Sequence, residues 1–173
     1  MQADSQLIAA LTAGIPALND RGYTTGMPYY MYGHRRELAN RLLEKDKDSV
    51  FKYQKYPLVA LRLDTPEEYA DGVVTFTLNV ALVMMTHRMW NSEERYPKVF
   101  KPVLYPLYGA FLGGIKNNGG FFWEGDRSKP PHTKFDRPYY GIEESEGNVA
   151  NIFNDPLDAI ELIDLKISQN FKC

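Results

Sequence analysis

The segment VVTFTLNVALVMMTHR, residues 73–88, constrains the fold more than any other part of the chain. Every second residue from Val74 to Met84 is apolar, which is the period of a β-strand with one face on a hydrophobic core. The opposite face begins with three polar residues, Thr75, Thr77 and Asn79, and becomes apolar towards its end. We expect one face to be covered throughout and the other to be solvated only at its start. A strand this long, roughly 50 Å at ~3.4 Å per residue, must bend at a bulge or extend beyond a compact domain.

Other segments also show the periodicity of regular structure. Helical spacing predicts helices over 5–20, from about Gly33 within 28–49, and over 99–115, and short apolar runs predict strands over 56–63 and 155–170. The order of these elements predicts a single α+β domain over residues 1–173. Its sheet should be mostly antiparallel, with a long central strand and two to three packing helices.

Two of these segments carry finer expectations. Pro106 falls inside the helix predicted over 99–115 and should kink it or tighten it locally. In the last strand, strict alternation puts Ile163, Leu165 and Ile167 on one face and begins the other face with Ile160 and Leu162.

Residues 116–155 show no clear helix or strand pattern but are rich in aromatic side chains. A structureless loop of this length is uncommon in a compact domain unless it is functional. We interpret the segment as an extended arm or hairpin that packs on a neighbouring surface. The basic stretch HRRE (34–37) and the acidic stretch EESEG (143–147) suit either a contact between subunits or, taken singly, two separate solvated surfaces. The predicted subunit interface consists of Phe121, Phe122, Trp123, Phe135, Tyr139, Tyr140, Thr75, Thr77, Asn79, Arg35, Arg36, Glu143 and Glu144.

Composition and charge exclude several classes of protein. The net charge is −2, so the overall balance gives no sign of the basic patch that non-specific nucleic-acid binding needs. The only cysteine, Cys173, excludes a disulfide within the chain and a cysteine-rich zinc site. The longest uncharged run, 103–115, has 13 residues, against about 20 for a membrane-spanning helix. We expect no membrane span and, since the N-terminus carries no basic stretch, no export signal.

The sequence contains no recognisable motif for catalysis, metal binding or cofactor binding, and we expect none of the three. His34 and Glu37 lie three apart on one helix face, as two metal ligands can, but no third ligand accompanies them. One alternative is a small enzyme or ligand-binding domain whose 116–155 segment closes as a lid over a pocket near His87 or His132. Another is a nucleic-acid module that stacks bases on aromatic side chains beside two arginines, namely Tyr29, Tyr30, Tyr32, Arg35 and Arg36.

The order of elements, with the phrases YPLVALRLD, VVTFTLNVALVMMT, RYPKVFKPVLYPLYGAFLGGI and DPLDAIELIDLKI, resembles one family of viral proteins. These are the small neck and tail-terminator (tail-completion) proteins of tailed bacteriophages, particularly of Bacteroidetes phages and prophages. The resemblance covers roughly residues 5–168.

That resemblance implies a non-enzymatic virion protein, assembled in the host cytoplasm, that forms a ring at the head–tail junction. Its partners would be copies of itself, as a hexamer or dodecamer, and the neighbouring neck, portal and tail proteins. DNA would pass through the ring without specific binding, which a near-neutral or mildly acidic subunit suits.

Overall fold

The computed structural model describes residues 28–48, 55–62, 65–125, 128–145 and 148–170. The helix expected over 5–20 lies outside these residues. In order along the chain the elements are β1 (Tyr29–Tyr32), α1 (Arg35–Asp46), β2 (Leu58–Leu61), β3 (Glu67–Ala70), β4 (Val73–Met85), α2 (Ser92–Arg95), a π-helical segment (Tyr96–Leu104), α3 (Tyr105–Asn117), β5 (Phe121–Phe122), β6 (Thr133–Tyr140), β7 (Ile142–Ser145), β8 (Asn148–Asn151) and β9 (Leu157–Asn170).

Seven of the described strands form one sheet, in the order β1-β2-β4-β9-β5, with β3 also paired to β4 and β6 also paired to β9. The β1–β2 pair is parallel, and the remaining pairs in this sheet are antiparallel. Strands β7 and β8 form a separate two-stranded hairpin. The chain is therefore an α+β domain with a mostly antiparallel sheet, as the sequence predicts.

The long strand β4 is central, and a β-bulge in its neighbour β9 interrupts the pairing of the two strands. It pairs with β9 from Val73 to Met85, with a register shift between Leu78 and Val80. Two β9 residues, Ile163 and Asp164, lie opposite Asn79 alone, and Asp164 has a φ of 55°. The extra residue lies in β9, so this β-bulge bends β9 and increases the local twist of the pair.

Because of the bulge, the predicted assignment of β9 residues to two opposite faces is wrong. A bulge adds one residue to a strand, so the alternation beyond it is inverted. As a result the residues expected on opposite faces reach the same core. Four of them are completely buried: Ile160, Leu162, Leu165 and Ile167. Ile163, which is predicted to share a face with Leu165 and Ile167, is only half-buried at the bulge.

Helices α2 and α3 and the π-helical segment between them form one continuous helical layer on one face of the sheet. Its apolar stripe follows the spacing predicted for 99–115 and is buried at Val99, Phe100, Val103, Leu104, Leu107, Phe111, Leu112 and Ile115. Each fully buried large apolar side chain contributes about 1.5–3 kcal/mol of transfer free energy. These residues and the inward residues of β4 and β9 therefore make up most of the core.

The sequence predicts that Pro106 kinks or tightens the helix locally. The structure instead has a wider, π-helical segment that ends just before it, at Leu104. Pro97 and Pro102 lie in the π-helical segment, and neither can donate a backbone hydrogen bond. Pro106 lies at the start of α3, directly after the π-helical segment, and it cannot donate a backbone hydrogen bond either.

Helix α1 lies on the other face of the sheet, near the end at which β4 finishes. His34 caps it: its Nδ1 accepts from the Arg36 amide and its own amide donates to Glu37 Oε2, both at 3.3 Å. The guanidinium of Arg35 lies 5.4 Å from the ring centroid of Tyr140, which is opposite Leu157 on this face. The first half of β4 is not covered by α1, in line with the predicted change from a solvated to a covered face.

Much of the segment expected to be an extended arm or hairpin forms β-strands, and part of it is a hairpin. Within 116–155, strands β5 and β6 join the main sheet and β7 and β8 form the hairpin. The β6 side chains that face the helical layer are polar and make hydrogen bonds there. Asp136 accepts from the Tyr105 hydroxyl at 2.7 Å, and Lys134 donates to Asp136 at 2.5 Å. Hydrogen bonding rather than apolar alternation holds this strand against the helix.

Candidate interaction surface

The sheet face opposite the helical layer is polar along the first half of β4. Thr75, Thr77 and Asn79 are half-buried there. The Thr75 and Ser168 hydroxyls are 2.8 Å apart, and Asn79 Oδ1 accepts from the Asp164 amide at 3.2 Å. These three predicted interface residues share one face, although two of them already have partners within the chain.

Further along the same face, the side chains of Arg35, Arg62, Arg137 and Glu161 surround a cleft of about 420 Å³, here called the arginine cleft. They come from α1, the residue after β2, β6 and β9. Antiparallel pairing of β6 with β9 brings Arg137 and Glu161 to the same side of the sheet.

Hydrogen bonds fix the guanidinium groups at this cleft. Glu161, with its side chain 8 % exposed, accepts from Arg62 Nη2 and, at 2.9 Å, from Arg137 Nε. Burial acts to lower the pKa of Arg62, but the Tyr140 hydroxyl and the Glu161 carboxylate raise it, and the net shift is upward. Three guanidinium groups and one carboxylate therefore line the cleft. Such an arrangement is chemically suited to bind carboxylates or phosphates through two-pronged hydrogen bonds.

Beside the arginine cleft, the β5–β6 side of the sheet exposes large apolar side chains. Among the described residues, Phe122 and Phe135 are each 40 % exposed, Tyr139 39 % and Ile142 41 %. We call these four residues the apolar edge. The guanidinium of Arg137 lies 4.6 Å from the ring centroid of Phe135, so the edge adjoins the cleft.

Two residues of the predicted interface belong to the core instead. Phe121 is opposite Gln169, on the side of the sheet that the helical layer covers, and is 9 % exposed. Tyr140 is 8 % exposed and stacks on Phe153, with ring centroids 5.8 Å apart. Alternation along β5 explains the difference between buried Phe121 and exposed Phe122. Trp123 is partly buried against the same core.

The charged members of the predicted interface separate in the structure. Arg35 lines the arginine cleft, whereas Arg36 is exposed on α1 and does not line it. Glu143 and Glu144 follow Ile142 in β7, and Ile142 is one wall of the cleft. Arg62 and Arg137 were missed by sequence reasoning, because only the strand pairing with Glu161 brings them near Arg35.

Each of the three histidines makes local contacts. His34 caps α1, His87 Nδ1 accepts from the Met89 amide, and His132 lies 2.7 Å from the Tyr108 hydroxyl. Within the described residues no three His, Cys, Asp or Glu side chains are grouped as a metal site would need. Part of the 116–155 segment, which the alternative makes a lid near His87 or His132, is strand β6, and this strand pairs with β9.

The alternative nucleic-acid surface is divided by the geometry of β1. Tyr30 and Tyr32 alternate with Tyr29, so the three rings do not share one face. The Lys45 ammonium already lies 3.4 Å from the Tyr29 ring centroid.

No helix among the described residues is long and apolar enough to cross a membrane. Comparisons of the chain with protein-family models, curated proteins and solved structures found no match.

Proposed function

We propose that the protein is a structural subunit of a tailed-bacteriophage virion that forms a homo-oligomeric ring at the head–tail junction. The ring joins the capsid to the tail and lines the channel through which DNA passes. Its partners are other copies of the chain and the neighbouring neck, portal and tail proteins.

The observation that carries this proposal is that large apolar side chains remain exposed along β5 and β6 and at the start of β7. The apolar edge supplies four of the eight large hydrophobic side chains that are exposed among the described residues. Phe135 stacked against Arg137 is also the aromatic–arginine combination typical of strong interface positions.

The edge of the main sheet supports the same conclusion. Strand β6 pairs with β9 on one side, and no described strand pairs with its other side. An eight-residue edge strand with exposed aromatic residues is a template for contact with another chain unless it is protected. Pro138 limits such pairing near its end, which leaves its first half as the open part.

The charge of the chain is compatible with a channel. At −2 overall, a ring of these subunits would not attract DNA strongly, so the DNA could move through it. The resemblance to phage neck and tail-terminator proteins supplies the position in the virion.

The position in the virion can be tested genetically in the phage that encodes the chain. Inactivating the coding sequence should leave DNA-filled heads and finished tails unjoined in electron micrographs of the lysate. Restoring the sequence in trans should restore joined particles. Normal numbers of joined, infectious particles without the protein would contradict the proposal.

A further inference from the structure

We propose that strand β6 of one subunit pairs antiparallel with strand β6 of a second copy, about a two-fold axis at Phe135. This inference rests on the proposed assembly of identical subunits and names one contact that joins them.

Two prolines bound the open part of the β6 edge. Pro131 precedes the strand and Pro138 lies near its end, and neither can donate a main-chain hydrogen bond. Between them, residues 133–137 pair with β9 in an unbroken register. On its outer side this segment has no partner strand among the described residues. The open edge is therefore a short segment with Phe135 at its centre.

The main-chain groups of Lys134 and Asp136 point away from β9. The Pro131 carbonyl accepts from the Lys166 amide of β9 at 3.0 Å, so it points towards β9. This direction alternates along a strand, so residues 133, 135 and 137 also face β9, and the two residues between them face outwards. An antiparallel copy centred on Phe135 places Lys134 opposite Asp136 of the second copy. Each of these pairs can exchange two main-chain hydrogen bonds.

The charges on β6 favour this register. An axis at Phe135 puts each Lys134 opposite an Asp136, and opposite charges across two strands stabilise a sheet. An axis at Lys134, Asp136 or Arg137 would instead put like charges directly opposite each other. Asp136 already accepts from Lys134 and Tyr105, but a carboxylate has about four acceptor positions.

The same axis brings the two Phe135 rings together. Phe135 is 40 % exposed, on the sheet face opposite the helical layer. Side chains directly opposite each other on two strands have Cβ atoms about 4.5–5.5 Å apart, so each ring covers the other. The contact uses the same surface of both subunits. An assembly in which every subunit makes it therefore contains an even number of subunits.

A charge exchange tests the pairing between copies. Lys134→Glu puts two carboxylates opposite each other across the contact, and Asp136→Lys puts two ammonium groups there. Each variant alone should therefore raise the protein concentration at half-assembly about tenfold or more. In an equimolar mixture each new charge meets an opposite one, so assembly should return towards that of the wild-type chain. Lys101→Glu, at an exposed position of the helical layer, is the matched control and should leave assembly unchanged.

A proline tests the part played by the main chain. Lys134→Pro removes an outward N–H and no hydrogen bond to β9, so circular dichroism should show a folded subunit. Its assembly should be weakened more than that of Lys134→Ala, which loses the same charge but keeps the N–H. Sedimentation velocity over a concentration series measures all of these variants.

Three results would overturn this inference. Wild-type assembly of the charge variants and the proline variant would refute the pairing and leave the proposed function intact. Charge variants that stay folded, assemble poorly and fail to rescue each other would also refute it, because Lys134 and Asp136 would then act within their own subunit. A wild-type chain that never assembles would refute both proposals.

Discussion

Arg95 and Asp158 form an ion pair that is almost entirely removed from water. Arg95 Nη1 lies 2.5 Å from Asp158 Oδ1, and the side chains are 1 % and 0 % exposed. Arg95 also donates to the Trp90 carbonyl at 2.7 Å and to the His87 carbonyl at 3.1 Å. The pair thus ties α2 and the loop before it to β9. A buried pair of this kind is costly to break, because the remaining charge has no comparable partner.

Asp158→Asn should therefore destabilise the protein strongly. The substitution keeps the shape of the side chain but removes the negative charge opposite Arg95, at a cost of about 3–5 kcal/mol in the free energy of unfolding. Urea denaturation followed by circular dichroism measures this change. Lys98→Gln, which removes an exposed ion pair with Glu94, is the control and should shift the midpoint very little. Equal shifts of the urea midpoint for the two variants would show that the buried pair of Arg95 and Asp158 stabilises the fold no more than an exposed pair does.

Gly141 is a second position at which one side chain decides local structure. Its φ is 84°, and a Cβ there would lie 2.3 Å from Phe153 Cδ2. Phe153 in turn stacks on Tyr140. The glycine therefore permits the close packing that connects β6 to the β7–β8 hairpin.

Gly141→Ala should lower the free energy of unfolding by about 1–3 kcal/mol, from the left-handed backbone and the contact with Phe153. Gly113→Ala is the matched control, because a Cβ at that helical position meets nothing within 4 Å. It should stabilise the protein by roughly 0.5–1 kcal/mol through helix propensity. Chemical denaturation of both variants gives the comparison, and a Gly141→Ala protein as stable as the wild type would contradict the packing described here.

The sequence predicted those helices and strands whose apolar residues recur with a clear period. Strand β4 and the helical stripe over 99–115 bury their apolar residues in the core. The period of these residues can therefore be read from the sequence. Strand β6 was missed because Lys134 and Asp136 face the helix and Pro138 interrupts the strand. The reversal of faces in β9 was missed because a bulge depends on pairing with β4, which single-strand alternation does not encode.

The same limit applies to the candidate site. Arg35 was predicted from local charge, but Arg62 and Arg137 reach it only through the tertiary pairing of β6 with β9. All four aromatic residues Phe121, Phe122, Phe135 and Tyr140 were predicted for the interface; Phe122 and Phe135 are exposed, whereas Phe121 is buried by alternation and Tyr140 by contact with Phe153. Their membership of a subunit interface stays a prediction.

At the level of a single element, Phe135→Ser tests the apolar edge. Because Phe135 is 40 % exposed, the substitution should change the stability of the isolated subunit by no more than about 0.5 kcal/mol. It should nevertheless raise the concentration at half-assembly, since an aromatic anchor is lost from the contact. Analytical ultracentrifugation over a concentration series measures the effect.

Tyr69→Ser is the comparison variant for this experiment. Tyr69 is 63 % exposed on β3, which pairs with β4 on the side away from β9. We expect its assembly to match that of the wild-type chain. If both aromatic substitutions weaken assembly equally, the contact is not confined to the β5–β6 side of the sheet.

In the whole molecule, two surfaces have different roles. One sheet face packs on the helical layer and forms the core, while the β5–β6 side combines exposed apolar residues with the arginine cleft. A fold with this division is stable as a subunit and still has a surface for contact with another subunit. Assembly should also weaken as salt is added, because the charges around the cleft are partly exposed and therefore screened.

The mass of the particle in solution tests this claim most directly. Light scattering of the purified 19.8 kDa chain, coupled to gel filtration over a range of concentrations, gives that mass without assumptions about shape. We predict a defined homo-oligomer of at least six subunits, visible as a ring in negative-stain images. A particle that keeps the mass of one chain at every concentration, and also in the presence of neighbouring neck proteins, would contradict the account.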